Sequence, residues 1–302
     1  MNCHVCKQRA AVELRRHNAA FCREHFIEHV QRQVARTIDE YEMFGPEDLL
    51  LLGVSGGKDS LALWDILTGL GYAVDGVYIH LGIGDYSSES LTLTKEFAED
   101  RGLRLRVVNL PLDYGFSIPQ AAATQGRSAC SVCGLSKRYL LNRAAAEYDV
   151  LIMGHNLDDE AATLLGNVLK WNTEYLGRQA PVLPAVDGLA RKVKPLIRVA
   201  ERETAAYAVL RGIEYEVEEC PMVSGNTINR LKERMSVLEG KAPGIRQQFL
   251  FGFFERGAGH FADVDKEDLG SCRVCGSPTT ADICAFCRVR DRATQPRREG
   301  DS

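Results

Sequence analysis

Leu49-Leu50-Leu51-Leu52-Gly53-Val54 runs without a break into Ser55-Gly56-Gly57-Lys58-Asp59-Ser60, and the reading of this stretch decides the fold. Six apolar residues have the length and composition of a buried strand. The two glycines after them let the backbone curl so that its N–H groups converge, and the apolar periodicity from Lys58 to Leu70 is that of a helix ended by Gly71. Ala73 to Leu81 is strand-like again, which completes a βαβ unit.

The alternation continues outward from this unit. A helix is expected near Ser90–Arg101, a strand at Leu105–Leu110, a helix around Leu135–Glu147, a strand at Val150–Met153 and a helix at Asp158–Leu169. That succession builds an α/β fold, a parallel sheet with helices on both faces. Pro111 to Ala129 lacks a clear period and carries Gly115, Pro119 and Gly126, so it reads as a mobile excursion from the sheet. Beyond Lys194 the pattern gives a short strand, a helix at Glu201–Leu210, an extended Tyr215–Val217 and two helices within Asn226–Glu255. The expected domains are a metal module at residues 1–26, a linker helix at 27–46, a catalytic domain at 47–262, a second metal module at 271–290 and a disordered tail at 291–302.

The 302 residues carry a formal net charge of -4, so bulk charge does not make the chain a polyanion binder and any nucleic-acid surface must be local. The ends are basic: Met1–Phe26 holds five Lys/Arg against two Glu, and Ser271–Arg298 six Arg against two Asp. No apolar run is long enough to span a bilayer, and Cys3 and Cys6 stand where a signal peptide would need other residues, so a cytoplasmic protein away from the membrane is expected. Ten cysteines in that compartment point to metal or catalysis rather than disulfides.

Converging amides and a helix N-terminus make the 55–60 loop an anion cradle. Ser55 and Ser60 add hydroxyls and Lys58 adds a charge. The loop departs from the Gly-x-x-x-x-Gly-Lys-Ser/Thr pattern, which disfavours an ordinary γ-phosphate hydrolase. It matches the SGGxDS pyrophosphate loop, so ATP is the expected ligand, with Mg²⁺ held by Asp59. Gly53, Ser55, Gly56, Gly57, Lys58, Asp59 and Ser60, with Ile79 at the end of the second strand for adenine and Gly154 at the carboxyl edge, form the expected nucleotide set. In Gly154-His155-Asn156-Leu157-Asp158-Asp159-Glu160, Asp159 is the expected catalytic carboxylate. The competing reading is that Asp158 caps the helix and Asp159 answers its dipole.

Cys3-x-x-Cys6 with Cys22-x-x-His25, and Cys272-x-x-Cys275 with Cys284-x-x-Cys287, each supply four ligands in two knuckles, the layout of a closed structural zinc site. His4 and His17 could stand in for His25. Cys130, Cys133 and Cys220 remain. They could hold a zinc with His80 or His155 as fourth ligand, or a 4Fe-4S cluster with one open iron. They could also act directly as thiols through a persulfide. Residue types alone leave these open.

Together the loop, Cys130-Ser131-Val132-Cys133-Gly134-Leu135-Ser136-Lys137-Arg138, the 154–159 run, Val193-Lys194-Pro195-Leu196 and Glu219-Cys220-Pro221 resemble the tRNA 2-thiouridine synthetases of the TtuA/TtcA type, N-type ATP pyrophosphatases with an adenine nucleotide alpha hydrolase-like fold. Two flanking zinc modules resemble the TtuA branch. The resemblance runs nearly end to end and implies ATP-dependent adenylation of a uridine C2 oxygen, with AMP and pyrophosphate formed and sulfur delivered through a 4Fe-4S cluster on Cys130, Cys133 and Cys220. It favours a T-loop 5-methyluridine over a wobble uridine. It places Lys137 between cluster and ATP as a catalytic cation beside Asp159, with Cys130 and Cys220 also in the chemistry. It further implies tRNA and a ubiquitin-like thiocarboxylated sulfur-carrier protein as partners, and it admits a homodimer. Arg15, Arg16, Arg288, Arg290 and Arg292 would then meet tRNA phosphates. Competing functions are another pyrophosphatase of this fold acting on a metabolite, as sulfurtransferase or amidotransferase, and a metal-dependent RNA-binding or redox-sensing module without catalysis.

Overall fold

A computed structural model describes residues 1–126, 128–186, 188–223, 227–261 and 269–295. A small hairpin, β1 (Val12–Leu14) and β2 (Ala19–Phe21), leads into α1 (Arg23–Glu40). The chain then alternates through β3 (Leu50–Val54), α2 (Lys58–Gly69), β4 (Val74–His80), α3 (Gly84–Asp100) and β5 (Leu105–Asn109). Two short helices, α4 (Leu110–Tyr114) and α5 (Ile118–Gln125), precede α6 (Ala129–Ala144), β6 (Val150–Met153), α7 (Leu157–Lys170) and α8 (Thr173–Gly177). After β7 (Val182–Leu183) and β8 (Arg191–Val193) come α9 (Glu201–Arg211), α10 (Thr227–Lys241) and α11 (Ile245–Gly252). A second hairpin, β9 (Gly270–Ser271) and β10 (Pro278–Thr279), and α12 (Ala285–Thr294) close the described chain.

The central sheet has the order β5-β4-β3-β6-β8-β7. Its pairs are parallel as expected, apart from β7, a two-residue edge strand antiparallel to β8. The apolar run supplies the central strand, with Leu50, Leu51 and Leu52 all buried. Gly76 on β4 is needed for packing: a Cβ there would lie 2.4 Å from the Trp64 ring, which is fully buried and donates its indole N–H to Val74 O at 3.0 Å.

Several expectations need correction. The 111–129 stretch is largely helical: Asn109 and Ser117 cap α4 and α5, Pro111 and Pro119 occupy their first turns, and Gly115 and Gly126 end them in the left-handed region. The segment after Lys194 is a 3-10 turn, Pro195–Arg198, and Tyr215–Val217 forms no strand. Helix α1 starts at Arg23, so its N-cap Cys22 and His25 belong to the first metal module and the linker begins inside it. At the other end α12 runs to Thr294, past the expected boundary at 290, while residue 262 and the tail from 296 onward lie outside the described residues.

The two cysteine modules pack on opposite sides of the sheet. Leu14, Phe21 and Phe26 join the core that contains Trp64 and Tyr207, whereas Phe286, Val289 and Ala293 join the core built from α6 and the other sheet face. Phe286 stacks on Tyr139 of α6 at 3.8 Å between ring centroids.

One buried ion pair fixes α7. Glu160 accepts from Lys194 Nζ at 2.7 Å and from Gln179 at 2.8 Å. Burial alone would raise the carboxyl pKa, but Lys194 and His155 bring it down to about 2 from the ordinary 4.5. A carboxylate with a depressed folded pKa contributes stability that is present above the unfolded value and lost as pH falls through the folded one. Urea midpoints are therefore expected to fall from pH 5 toward pH 2, and Lys194→Met to lose about 3 kcal/mol at pH 7 with a shallower acid slope. Equal slopes in the two proteins would overturn the assignment.

Candidate active site

The phosphate loop leaves the carboxyl end of β3 and enters α2, whose N-cap, Gly57, makes no side-chain hydrogen bond. That leaves the first-turn amides and the helix dipole available to an anion. Gly56 has φ +78 and a Cβ there would lie 2.6 Å from Ser90 O, so both conformation and space require glycine. Ser60 Oγ accepts from Ser55 N at 3.1 Å and donates to Gly57 O at 3.0 Å, which rounds the loop. Across the cleft, Gly154 ends β6, and a Cβ on it would be 3.3 Å from Ser60 Cα.

A cavity of about 290 Å³ opens at this edge, walled by Gly53, Ser55, Gly57, Asp59, Ser60, Ile79, Lys137, Gly154 and Asp159, with Tyr78, Tyr86 and Ser90. Nine of the expected residues thus meet in one cavity. Gly56 backs onto Ser90 instead, and Lys58 turns aside to Asp59 and Glu201, each at 2.9 Å. Nothing in the spacing of the sequence singles out the tyrosines.

Around the loop runs an alternating chain of charges. Lys58 joins Asp59 to Glu201, and Lys232 Nζ joins Glu201 at 3.1 Å to Asp159 at 2.5 Å. Thr204 Oγ1 donates to Asp59. Burial works against both ammonium groups, yet Asp59 and Glu201 hold the Lys58 pKa above its usual value, and Asp159 and Glu201 do the same for Lys232. Glu201 shows the converse: burial opposes its charge, and Lys58 and Lys232 bring its carboxyl below the usual range.

Asp159 serves two partners. Its Oδ2 accepts from Asn156 N at 3.0 Å, closing a capping box with Asn156, while Oδ1 faces Lys232. The cap is thus Asn156 and not Asp158, a correction to the competing reading. Buried Asp158 instead accepts from Glu201 N at 2.8 Å and pairs with Arg246.

The ligand atoms of Cys3, Cys6, Cys22 and His25 lie within 4.8 Å of one another, as do those of Cys272, Cys275, Cys284 and Cys287. Sulfur separations of 3.8 Å (Cys6–Cys22) and 3.7 Å (Cys275–Cys284) match a tetrahedron with Zn–S bonds of about 2.3 Å. His25 Nδ1 completes the first set at 3.1 Å from Cys22 Sγ. His4 is outside that set, and His17 packs edge-on against His29 at 5.1 Å.

Cys130 and Cys133 lie at the start of α6, two turns and one turn before Lys137, and Cys220 follows α9 on a segment pinned to the loop by Glu216 N donating to Gly56 O at 2.9 Å. Burial pushes the Cys133 thiol up; Lys137 counteracts this, and Cys220 and Cys130 add to it, so the three sulfurs are electrostatic neighbours. Among the described residues they do not form a set within 4.8 Å. A single tetrahedral zinc needs that closeness, while a cubane binding each cysteine at a different iron does not. His155 turns to Glu160 at 3.4 Å, and among the described residues neither it nor His80 completes a four-ligand set with the trio.

Arg16 is not a surface residue. Its fork donates to Glu203 at 2.8 and 2.5 Å, to Arg198 O at 2.7 Å and to Gln247 at 2.8 Å, so it is unavailable to tRNA. Arg15, Arg288 and Arg292 are exposed and Arg290 half-buried.

Residues 2–27 match the model for the N-terminal LIM domain of 2-thiouridine synthetase TtuA, and residues 26–237 match the PP-loop domain. The chain is 48% identical to the tRNA-5-methyluridine(54) 2-sulfurtransferase of Thermus thermophilus, over 96% of this chain and 91% of that protein. The chain belongs to the tRNA 2-thiouridine synthetase family of PP-loop enzymes. The Pyrococcus horikoshii tRNA-5-methyluridine(54) 2-sulfurtransferase is 39% identical, over 95% and 93% of the two chains. Among solved structures, the U34-tRNA thiolase NcsA from Methanococcus maripaludis with its 4Fe-4S cluster superposes with a TM-score of 0.81 at 23% identity, covering 96% of each chain, which supports the same fold. As in that family, the ATP-binding PP-loop lies on a mainly parallel sheet. No described helix is long and apolar enough to cross a membrane.

Proposed function

We propose that this enzyme converts the T-loop 5-methyluridine of tRNA to its 2-thio form, using ATP to activate the C2 oxygen. The observation that carries the reading is the single cavity in which the phosphate loop meets Lys137, one turn from Cys133. The names of the relatives at 48% and 39% identity support the T-loop position over the wobble uridine.

The uridine C2 oxygen attacks the α-phosphorus of ATP, the bond to the β,γ-phosphates breaks, and pyrophosphate leaves. The loop amides, Ser55 and Ser60 hold the departing phosphates, Asp59 and Asp159 would hold Mg²⁺, and Lys137 stabilises the charge that develops on the transferred phosphoryl group. Sulfide then adds to C2, and AMP carries away the former oxygen. A 4Fe-4S cluster bound by Cys130, Cys133 and Cys220 would supply an open iron to which that sulfide can bind. The two zinc sets are structural.

tRNA phosphates are met by the exposed arginines of the terminal modules, chiefly Arg15, Arg288 and Arg292. A ubiquitin-like thiocarboxylated carrier supplies the sulfur, the reaction is cytoplasmic, and a homodimer is compatible with it. Anaerobically reconstituted enzyme given ATP, sulfide and tRNA is expected to yield 5-methyl-2-thiouridine by nucleoside mass spectrometry, with AMP released only when tRNA is present. Thiolation at the wobble position, or AMP release that does not need tRNA, would overturn the reading.

A further inference from the structure

The amino-terminal zinc module reaches the nucleotide site through one helix. Arg16 projects from the turn between β1 and β2 and is almost fully buried, with 6% of its side chain exposed. Its fork holds both carboxylate oxygens of Glu203, itself 2% exposed, at 2.8 and 2.5 Å. Glu203 sits in the first turn of α9, where Oε2 also accepts from Ala200 N at 3.1 Å. The same turn carries Glu201, the shared acceptor of Lys58 and Lys232, and Thr204, the donor to Asp59.

We propose that Arg16 is a positioning residue for ATP: the zinc module sets the N-terminal turn of α9, and that turn sets Lys58 and Asp59 on the phosphate loop. The far end of α9 is anchored separately, by Arg211 and Tyr207 on buried Asp65 of α2 at 2.8 Å each. Loss of Arg16 therefore loosens the end that faces the nucleotide, where Asp158 still accepts from Glu201 N at 2.8 Å, and leaves the helix attached. A buried fork with two carboxylate oxygens and a carbonyl is over-determined in a way that a lysine cannot reproduce. Because coupling between sites is reciprocal, ATP must in turn steady the zinc module.

The inference rests on the 55–60 loop being the ATP site. In full-length, zinc-loaded protein, Arg16→Gln is expected to weaken Mg-ATP binding about ten-fold in calorimetric titration, with tRNA affinity and zinc content unchanged. Arg16→Lys should recover only part of the loss, and Arg9→Ala, exposed in the same module, should lose nothing. In the wild-type protein, Mg-ATP is expected to slow amide hydrogen exchange across Val12–Phe21 and not across the Gly270–Thr279 hairpin. Unweakened ATP binding by Arg16→Gln, or unchanged exchange at Val12–Phe21, would overturn the coupling alone. A wild-type protein that does not bind ATP would overturn the reading of the loop and the coupling with it.

Discussion

Cys220→Ser is expected to abolish tRNA thiolation, by on the order of 10³-fold or more, while ATP binds within about two-fold of wild type. Cys220 is the one member of its trio outside α6, and it reaches the other two through the segment tied to the phosphate loop at Glu216. A serine there keeps the shape of the side chain and removes the soft ligand, so iron and sulfide content after anaerobic reconstitution should fall with activity. The nucleotide pocket does not include Cys220 among its walls, which is why ATP affinity should hold. Thiolation at the wild-type rate by a Cys220→Ser protein, or by a colourless wild-type protein without iron, would overturn the role of the trio.

The parts of this site that were legible in the sequence are those whose physics is local. Strand, double glycine and helix around Ser55–Ser60 follow from an apolar run and two residues without Cβ, and the zinc sets follow from knuckles three residues apart. Helices α4 and α5 do not show in the apolar pattern because elements of five and eight residues are too short to show a period. Their caps and prolines are the available signal, and the same residue types also mark loops. Helix α6 starts at Ala129, six residues before the expected Leu135, where Ser128 caps it by accepting from Ser131 N.

The chain of charges around the loop is not legible in the sequence. Glu201 lies 143 residues from Lys58, and no local pattern links them. The same distance effect hid Arg16, whose partner Glu203 is 187 residues away. A basic residue in a basic segment reads as solvated surface until the fold brings a buried carboxylate to it.

The chain of charges also separates two neighbouring carboxylates that sequence alone could not tell apart. Asp159→Asn is expected to slow AMP formation by about 10²- to 10³-fold with little change in thermal midpoint. Asparagine keeps an oxygen for the Asn156 amide, so the capping box survives, but it removes the charge that faces Lys232 at the cavity wall. Asp159→Ala removes both and should cost about a further 1 kcal/mol of stability. Asp158→Asn is expected to do the reverse. Its carboxylate is buried against Arg246 and the Glu201 amide and does not wall the cavity. Arg246 would keep only the longer pair with Glu239 at 3.5 Å, and losing the buried charge opposite it should cost about 3 kcal/mol while the folded fraction retains most of its turnover. Single-turnover AMP formation and urea midpoints, measured on both variants, decide the matter: a fast Asp159→Asn enzyme, or one that is simply unfolded, would remove Asp159 from the chemistry.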